Sequence, residues 1–273
     1  MYFCQKLAFN DMIHIEHFTF NDFQTRCCVV WDDNGQCAII DPGCASPQEI
    51  LTLVSFISDR FLEPVCIMLT HAHFDHIYGM SALAKEYEIP VYAHVGELYT
   101  LEKTNPEVCN AYGLPLPDTF PMIKSFSEAG INSRFYPVSS FSTIEVGDLR
   151  FEVIETPGHS HGGLCFFERT ERILFSGDTL FAGAIGRSDH PGGDYDLLMK
   201  SIFEELLPLD EAPVEGSAER ETEGAADRAG NTGSATCHTP IQVIPGHGPC
   251  TDLTTEAMTN PFLQPFNLPY DDE

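Results

Sequence analysis

Short apolar runs recur along the chain, most of them ending in glycine, proline or a charged residue. Residues 13–20 alternate (Ile13, Ile15, Phe18, Phe20), as a half-buried strand does. Runs at 27–31 and 37–40 flank Asp32-Asp33-Asn34-Gly35, and Asn-Gly between two such runs predicts a hairpin. Asp41-Pro42-Gly43 then turns sharply. Ser46-Pro47-Gln48-Glu49 reads as a capping box with proline at the first helical position, starting a helix that runs to about Arg60. The run 65–69 has the length and β-branched content of a buried strand, and a helical pattern follows over 77–87. Another short strand is expected at 90–93. Residues 94–133 carry weak helical patterns interrupted by prolines. Strand-like runs follow at 135–138, 143–146, 149–154, 163–167 and 172–175, with Gly147-Asp148 as a turn. Asp194 can cap a helix to about Leu207, 241–244 is the last strand, and 251–258 a short final helix. Strands outnumber helices and fall into two groups, each accompanied by helices. The pattern predicts an α+β fold with two sheets face to face and helices outside.

Composition narrows what such a fold can do. The 273 residues suffice for one large domain or two small ones, and 43% are hydrophobic, ample for a core. The chain is read as a single domain over 1–273. Within it, 210–238 is rich in Glu, Ala, Gly, Ser and Thr and reads as a flexible low-complexity insertion. A formal charge of −27 argues against nucleic acid and against an anionic membrane surface. No run approaches the roughly 20 apolar residues of a membrane span, and residues 1–10 lack the pattern of a secretory signal. The ten cysteines are scattered and read as small buried apolar groups, so the expected location is the cytoplasm.

The chemistry concentrates in residues 70–76, Thr-His-Ala-His-Phe-Asp-His, directly after the 65–69 strand. In extended chain, residues two apart face the same way, so His71 and His73 can grip one ion while Asp75 and His76 turn towards a second. Imidazole with carboxylate suits zinc, iron or manganese better than calcium. Three further polar residues each follow an apolar strand and sit beside glycine: His159, Asp178 and His247. The set then closes. His71, His73 and His159 serve one ion, Asp75, His76 and His247 the other, and Asp178 can bridge. Two divalent ions, two carboxylates and a bridging hydroxide leave about one positive charge to meet a developing oxyanion.

These residues carry a resemblance. In 41–43, 70–76, 156–159, 176–181 and 245–249 the chain is similar to metallo-β-lactamase-fold hydrolases, and within them to the glyoxalase II-like group. Gly186-Arg187-Ser188-Asp189 and Asn260-Pro261-Phe262-Leu263 resemble its short, single-domain members. The resemblance implies an αββα sandwich with the metals at one edge. It implies two divalent ions, zinc foremost with iron or manganese as alternatives, and hydrolysis of a small-molecule thioester of the hydroxyacyl-thiol kind. Asp75 and Asp178 are the expected catalytic carboxylates, Asp75 also handling a proton. Asp41 is expected to orient a ligand ring or the backbone beside it. Arg187, His161 and His94 are candidate substrate contacts, Arg187 either anchoring a carboxylate or pairing with Asp189. The stretch after His247 is shorter than the helical domain that helps full-length glyoxalase II enzymes bind glutathione, which leaves the thiol carrier open; so is the oligomeric state. A mononuclear-iron persulfide dioxygenase is the main alternative, a lactonase is compatible, and a non-catalytic partner protein using the acidic insertion is a third class. No serine-hydrolase elbow, P-loop or dinucleotide fingerprint competes.

Overall fold

The computed structural model describes residues 13–118, 135–210 and 239–264. The expected insertion beyond Asp210, the later part of the 94–133 segment and the tail from 265 lie outside them.

Two six-stranded sheets face each other. The first contains β1 (His14–Phe20), β2 (Thr25–Trp31), β3 (Gln36–Ile40), β4 (Glu63–Met68), β5 (Val91–Ala93) and β6 (Phe135–Pro137), in that order. β1 to β3 are antiparallel, and β3 to β6 run parallel. The second contains β7 (Thr143–Val146), β8 (Leu149–Glu155), β9 (Leu164–Glu168), β10 (Ile173–Gly177), β13 (Gln242–Pro245) and β14 (Thr251–Asp252), ordered β14-β13-β10-β9-β8-β7. Only β10 and β13 are parallel there. A two-stranded ribbon, β11 (Leu180–Phe181) with β12 (Ala184–Ile185), lies beside it.

Strand alternation explains the layers. On β2, β3 and β4, residues Cys27, Val29, Cys37, Ile39 and Ile67 point into a core beneath helices, while Cys28, Val30, Ala38, Ile40, Cys66 and Met68 point between the sheets. On β9, Leu164 and Phe166 face the intersheet core, and Cys165 and Phe167 face the helices of the other side. Strands buried on both faces read as continuous apolar runs, as these do. Burial also pushes the thiols up, Cys66 to about 12, so these cysteines are packing groups and not nucleophiles. Among the described residues no helix is long and apolar enough to cross a membrane.

Local signals set the helices. Helix α1 (Pro47–Asp59) carries the expected box: Ser46 accepts from the Glu49 N–H, and Glu49 accepts from the Ser46 N–H. The expected 77–87 helix begins earlier and is broken: α2 (Phe74–Ile77) precedes α3 (Met80–Glu86), and the Gly79 N–H leaves the helix to reach the Pro42 carbonyl at 2.9 Å. Asp75 and His76 therefore sit in a helical turn and not in the loop before one. Asp194 caps the helix Tyr195–Lys200 as expected, with the turns that continue it to Asp210. The expected 251–258 helix starts later, at Leu253, because Thr251–Asp252 pairs with β13 and Asp252 serves as the cap.

Buried Arg172 joins the two described ends of the insertion. Its Nε donates to the Thr239 carbonyl at 2.6 Å and its Nη2 to Asp210 at 2.5 Å. Arg172 precedes β10 and Asp178 follows it, with the five residues of that strand, about 17 Å, between them. Deleting residues 211–236 is therefore expected to move the Tm by less than about 3 °C, equivalent to about 1 kcal/mol in a chain of this size, with metal content unchanged. A larger loss, in calorimetry or elemental analysis, would show that the insertion reaches the centre.

Candidate metal centre

Four strand ends converge. β8, β10 and β13 point the same way in one sheet, since β8 and β10 are each antiparallel to β9, and β10 is parallel to β13. Their carboxyl ends deliver His159, Asp178 and His247 to one edge. β4 of the facing sheet delivers 70–76 to the same place. Gly246 permits the close approach of the last loop: a Cβ there would overlap the Asp178 carboxylate and crowd the His76 ring.

The seven expected side chains meet. Ligand atoms of His71, His73 and His159 lie within 4.8 Å of one another, and so do those of Asp75, His76 and His247. His73 Nδ1 and His159 Nε2 are 2.9 Å apart, and His76 Nε2 and His247 Nε2 3.2 Å. Asp178 spans the two groups, with Oδ2 at 3.6 Å from His159 Nε2 and 3.4 Å from His247 Nε2, and Oδ1 at 3.5 Å from His76 Nε2. A third combination, Asp41, His71 and His76, also falls within 4.8 Å. There, however, Asp41 is engaged as an acceptor, which fits the orienting role expected from the sequence.

Outward hydrogen bonds set the ring orientations. Asp41 Oδ1 accepts from the Thr70 N–H at 2.8 Å, and its Oδ2 from the Thr70 hydroxyl at 2.5 Å and from His76 Nδ1 at 3.1 Å. The Thr70 oxygen in turn accepts from His71 Nδ1 at 3.0 Å. His159 Nδ1 donates to the Arg187 carbonyl at 2.7 Å and His247 Nδ1 to the Phe23 carbonyl at 3.1 Å. With their Nδ1 protons committed outward, these four rings turn Nε2 inward, the arrangement that metal-binding histidines require. Thr25 Oγ1 donates to Asp75 Oδ2 at 2.7 Å and fixes that carboxylate.

The centre fits cations by an independent criterion. Among the described residues, His71 Nε2 and Asp178 Oδ1 are buried without any hydrogen-bond partner. Orphaned buried polar atoms are costly, and a shared cation satisfies both. The charges agree. Burial and neighbouring imidazoles hold His71 and His73 well below the usual histidine range, in the neutral form that ligates. Burial would also depress His76, but the Asp75 and Asp178 carboxylates override it and keep the ring protonated. Burial opposes ionisation of Asp75, yet His76 and His247 hold it at about 2, and His247 itself is raised to about 9 against its own burial by Asp178 and Asp75. Protons on His76 and His247 are the charge that a divalent ion would displace. These histidines and carboxylates could hold two metal ions.

The outer candidates divide. Arg187 makes a two-pronged pair with Asp189, at 2.9 and 3.2 Å, and is exposed. His94 faces Glu155 at 3.6 Å and accepts the Gly96 N–H, so it is not aimed at the centre. His161 is exposed and packs at a tilt of 37° against Tyr99, with centroids 4.3 Å apart. Several side chains escaped the sequence reading. His190 packs edge-on against His73 and His159, at 4.8 and 5.1 Å, and Glu97, Asn105 and Asn21 brace the ligand loops.

Comparison with known proteins agrees with this geometry. Residues 20–214 match the family described as the metallo-beta-lactamase superfamily. The hydroxyacylglutathione hydrolase GloC of Haemophilus influenzae is 30% identical over 251 residues, covering 92% of this chain and 98% of that protein. Among solved structures, the BLEG-1 B3 metallo-beta-lactamase superposes with a TM-score of 0.69 at 30% identity, over 92% of this chain and 99% of the other. The di-iron-bound form of TTHA1623 gives 0.67 at 30% identity, over 91% and 100%.

Proposed function

This chain belongs to the metallo-beta-lactamase superfamily of hydrolases, and from that premise we propose that it hydrolyses a thioester, of the hydroxyacyl-thiol kind, with two divalent ions. His71, His73 and His159 would hold one ion and Asp75, His76 and His247 the other, with the Asp178 carboxylate in reach of both groups. The observation that carries this reading is the pair of complete three-residue groups with one carboxylate in reach of both. Such ions supply Lewis acidity for a carbonyl and a water acidic enough to ionise near neutral pH. Zinc is the metal this donor set favours, and iron or manganese would also suit it.

The chain's own residues do the rest. Asp41, the Arg187 carbonyl and the Phe23 carbonyl hold the rings against rotation. Asp75, held by Thr25, would relay the proton that the water gives up on ionising, before the resulting hydroxide attacks. A thioester suits this site because a thiolate leaves without strong acid assistance. The similarity to a hydroxyacylglutathione hydrolase supports the acyl-thiol class. A persulfide dioxygenase using one iron would leave the Asp75–His76–His247 group without a purpose, and the burial of His76 between the Asp75 and Asp178 carboxylates supports the hydrolase. Buried free thiols fit a reducing compartment, and we place the protein in the cytoplasm.

Metal-loaded protein offered hydroxyacyl thioesters, lactones and persulfides tests this reading. Free thiol release from a thioester, without oxygen uptake, is expected. Oxygen consumption on a persulfide with no thioester cleavage would replace the hydrolase by the dioxygenase.

A further inference from the structure

Glu97 starts the short helix Glu97–Tyr99 and is completely buried. Its Oε2 accepts the Ala72 N–H at 2.7 Å, and its Oε1 accepts the Ser160 hydroxyl at 2.6 Å and the Gly162 N–H at 2.9 Å. Ala72 separates His71 from His73, while Ser160 follows His159 directly. One carboxylate thus clasps both loops that bring the His71–His73–His159 group together. The Ala72 peptide is held at its other end too, where Asn105 Nδ2 donates to its carbonyl at 2.8 Å. Gly162 completes the fit, since a Cβ there would press on Glu97 Oε1 at 3.0 Å. The second group is braced by different residues: Asp41 on His76, Thr25 on Asp75 and the Phe23 carbonyl on His247.

We propose that Glu97 is a positioning residue that sets the gap between the His71–His73 pair and His159, and so governs the ion held there and not its neighbour. A buried carboxylate satisfied by three donors is a stiff spacer, because moving either loop leaves a charged oxygen or a buried N–H without a partner. This rests on the two-ion reading above.

The test is chelator competition on the full-length chain loaded with cobalt, with its absorption spectrum read alongside. Glu97→Gln keeps the size but turns an NH2 against one of the donors. It is expected to weaken one of the two positions by about tenfold or more, as loss of an outer partner does, to alter the spectrum of that ion, and to leave the other affinity within about twofold. The ion that survives should be the one His247→Ala abolishes. Ser160→Ala, which keeps the carboxylate and removes one donor, is expected to show a smaller loss at the same position and covers the case in which Glu97→Gln fails to fold. Both affinities unchanged in the two variants, or both weakened equally, would overturn the proposal while leaving the two-ion reading intact. A wild-type chain that holds fewer than two ions would overturn that reading itself.

Discussion

Asp178→Ala is expected to lower thioester hydrolysis by at least about a thousandfold, equivalent to roughly 4 kcal/mol of barrier at about 1.4 kcal/mol per tenfold. Asp178 lies within 3.6 Å of His159, His76 and His247 and so reaches both groups. Removing it takes one negative charge from a site crowded with imidazoles and meant for two divalent ions, so metal content should fall together with rate. Burial alone would keep its carboxyl neutral, yet His76 and the hydrogen bond to His247 hold it well below the usual carboxylate range. Its charge is therefore present at any working pH. Steady-state rates at saturating metal, with elemental analysis of the same sample, check this. Activity retained within tenfold would place the reacting centre elsewhere.

Asp41→Ala should produce the largest loss of stability. Asp41 adopts a left-handed backbone, φ 48°, which aspartate tolerates better than most side chains. Its two oxygens accept from the Thr70 N–H, the Thr70 hydroxyl and His76 Nδ1, and both donor residues are buried. Alanine would leave those donors unsatisfied in a conformation it disfavours. At about 1–3 kcal/mol for each stranded group, a loss of about 3 kcal/mol or more is expected in urea unfolding of the metal-free chain. Asp41→Asn keeps an acceptor and the backbone tolerance and should cost less. Equal stability of Asp41→Ala and wild type would mean that Thr70 and His76 find other partners.

The legible features in the sequence were those with short-range causes. The Asn34-Gly35 turn, the Ser46 box and the Asp194 cap are each decided within a few residues, and the structure has them. Strands buried on both faces announced themselves as apolar runs. The ribbon β11–β12 did not, because two residues per strand make no pattern. The early start of α2 was hidden because two of its four residues are the polar Asp75 and His76, buried for a reason other than amphipathicity. Glu97 was invisible for the same physical cause. Its partners lie 25, 63 and 65 residues away, and nothing near it in the chain distinguishes a clamp from a solvated acid. Arg187 shows the reverse: its partner Asp189 is two residues on, and that pair was foreseeable.

The most direct measurement is the number of divalent ions per chain, by elemental analysis of wild type, His159→Ala and His247→Ala. A two-ion centre built from His71, His73, His159, Asp75, His76, His247 and Asp178 predicts two, with one lost in each variant. A single ion in the wild type, untouched by His247→Ala, would contradict it.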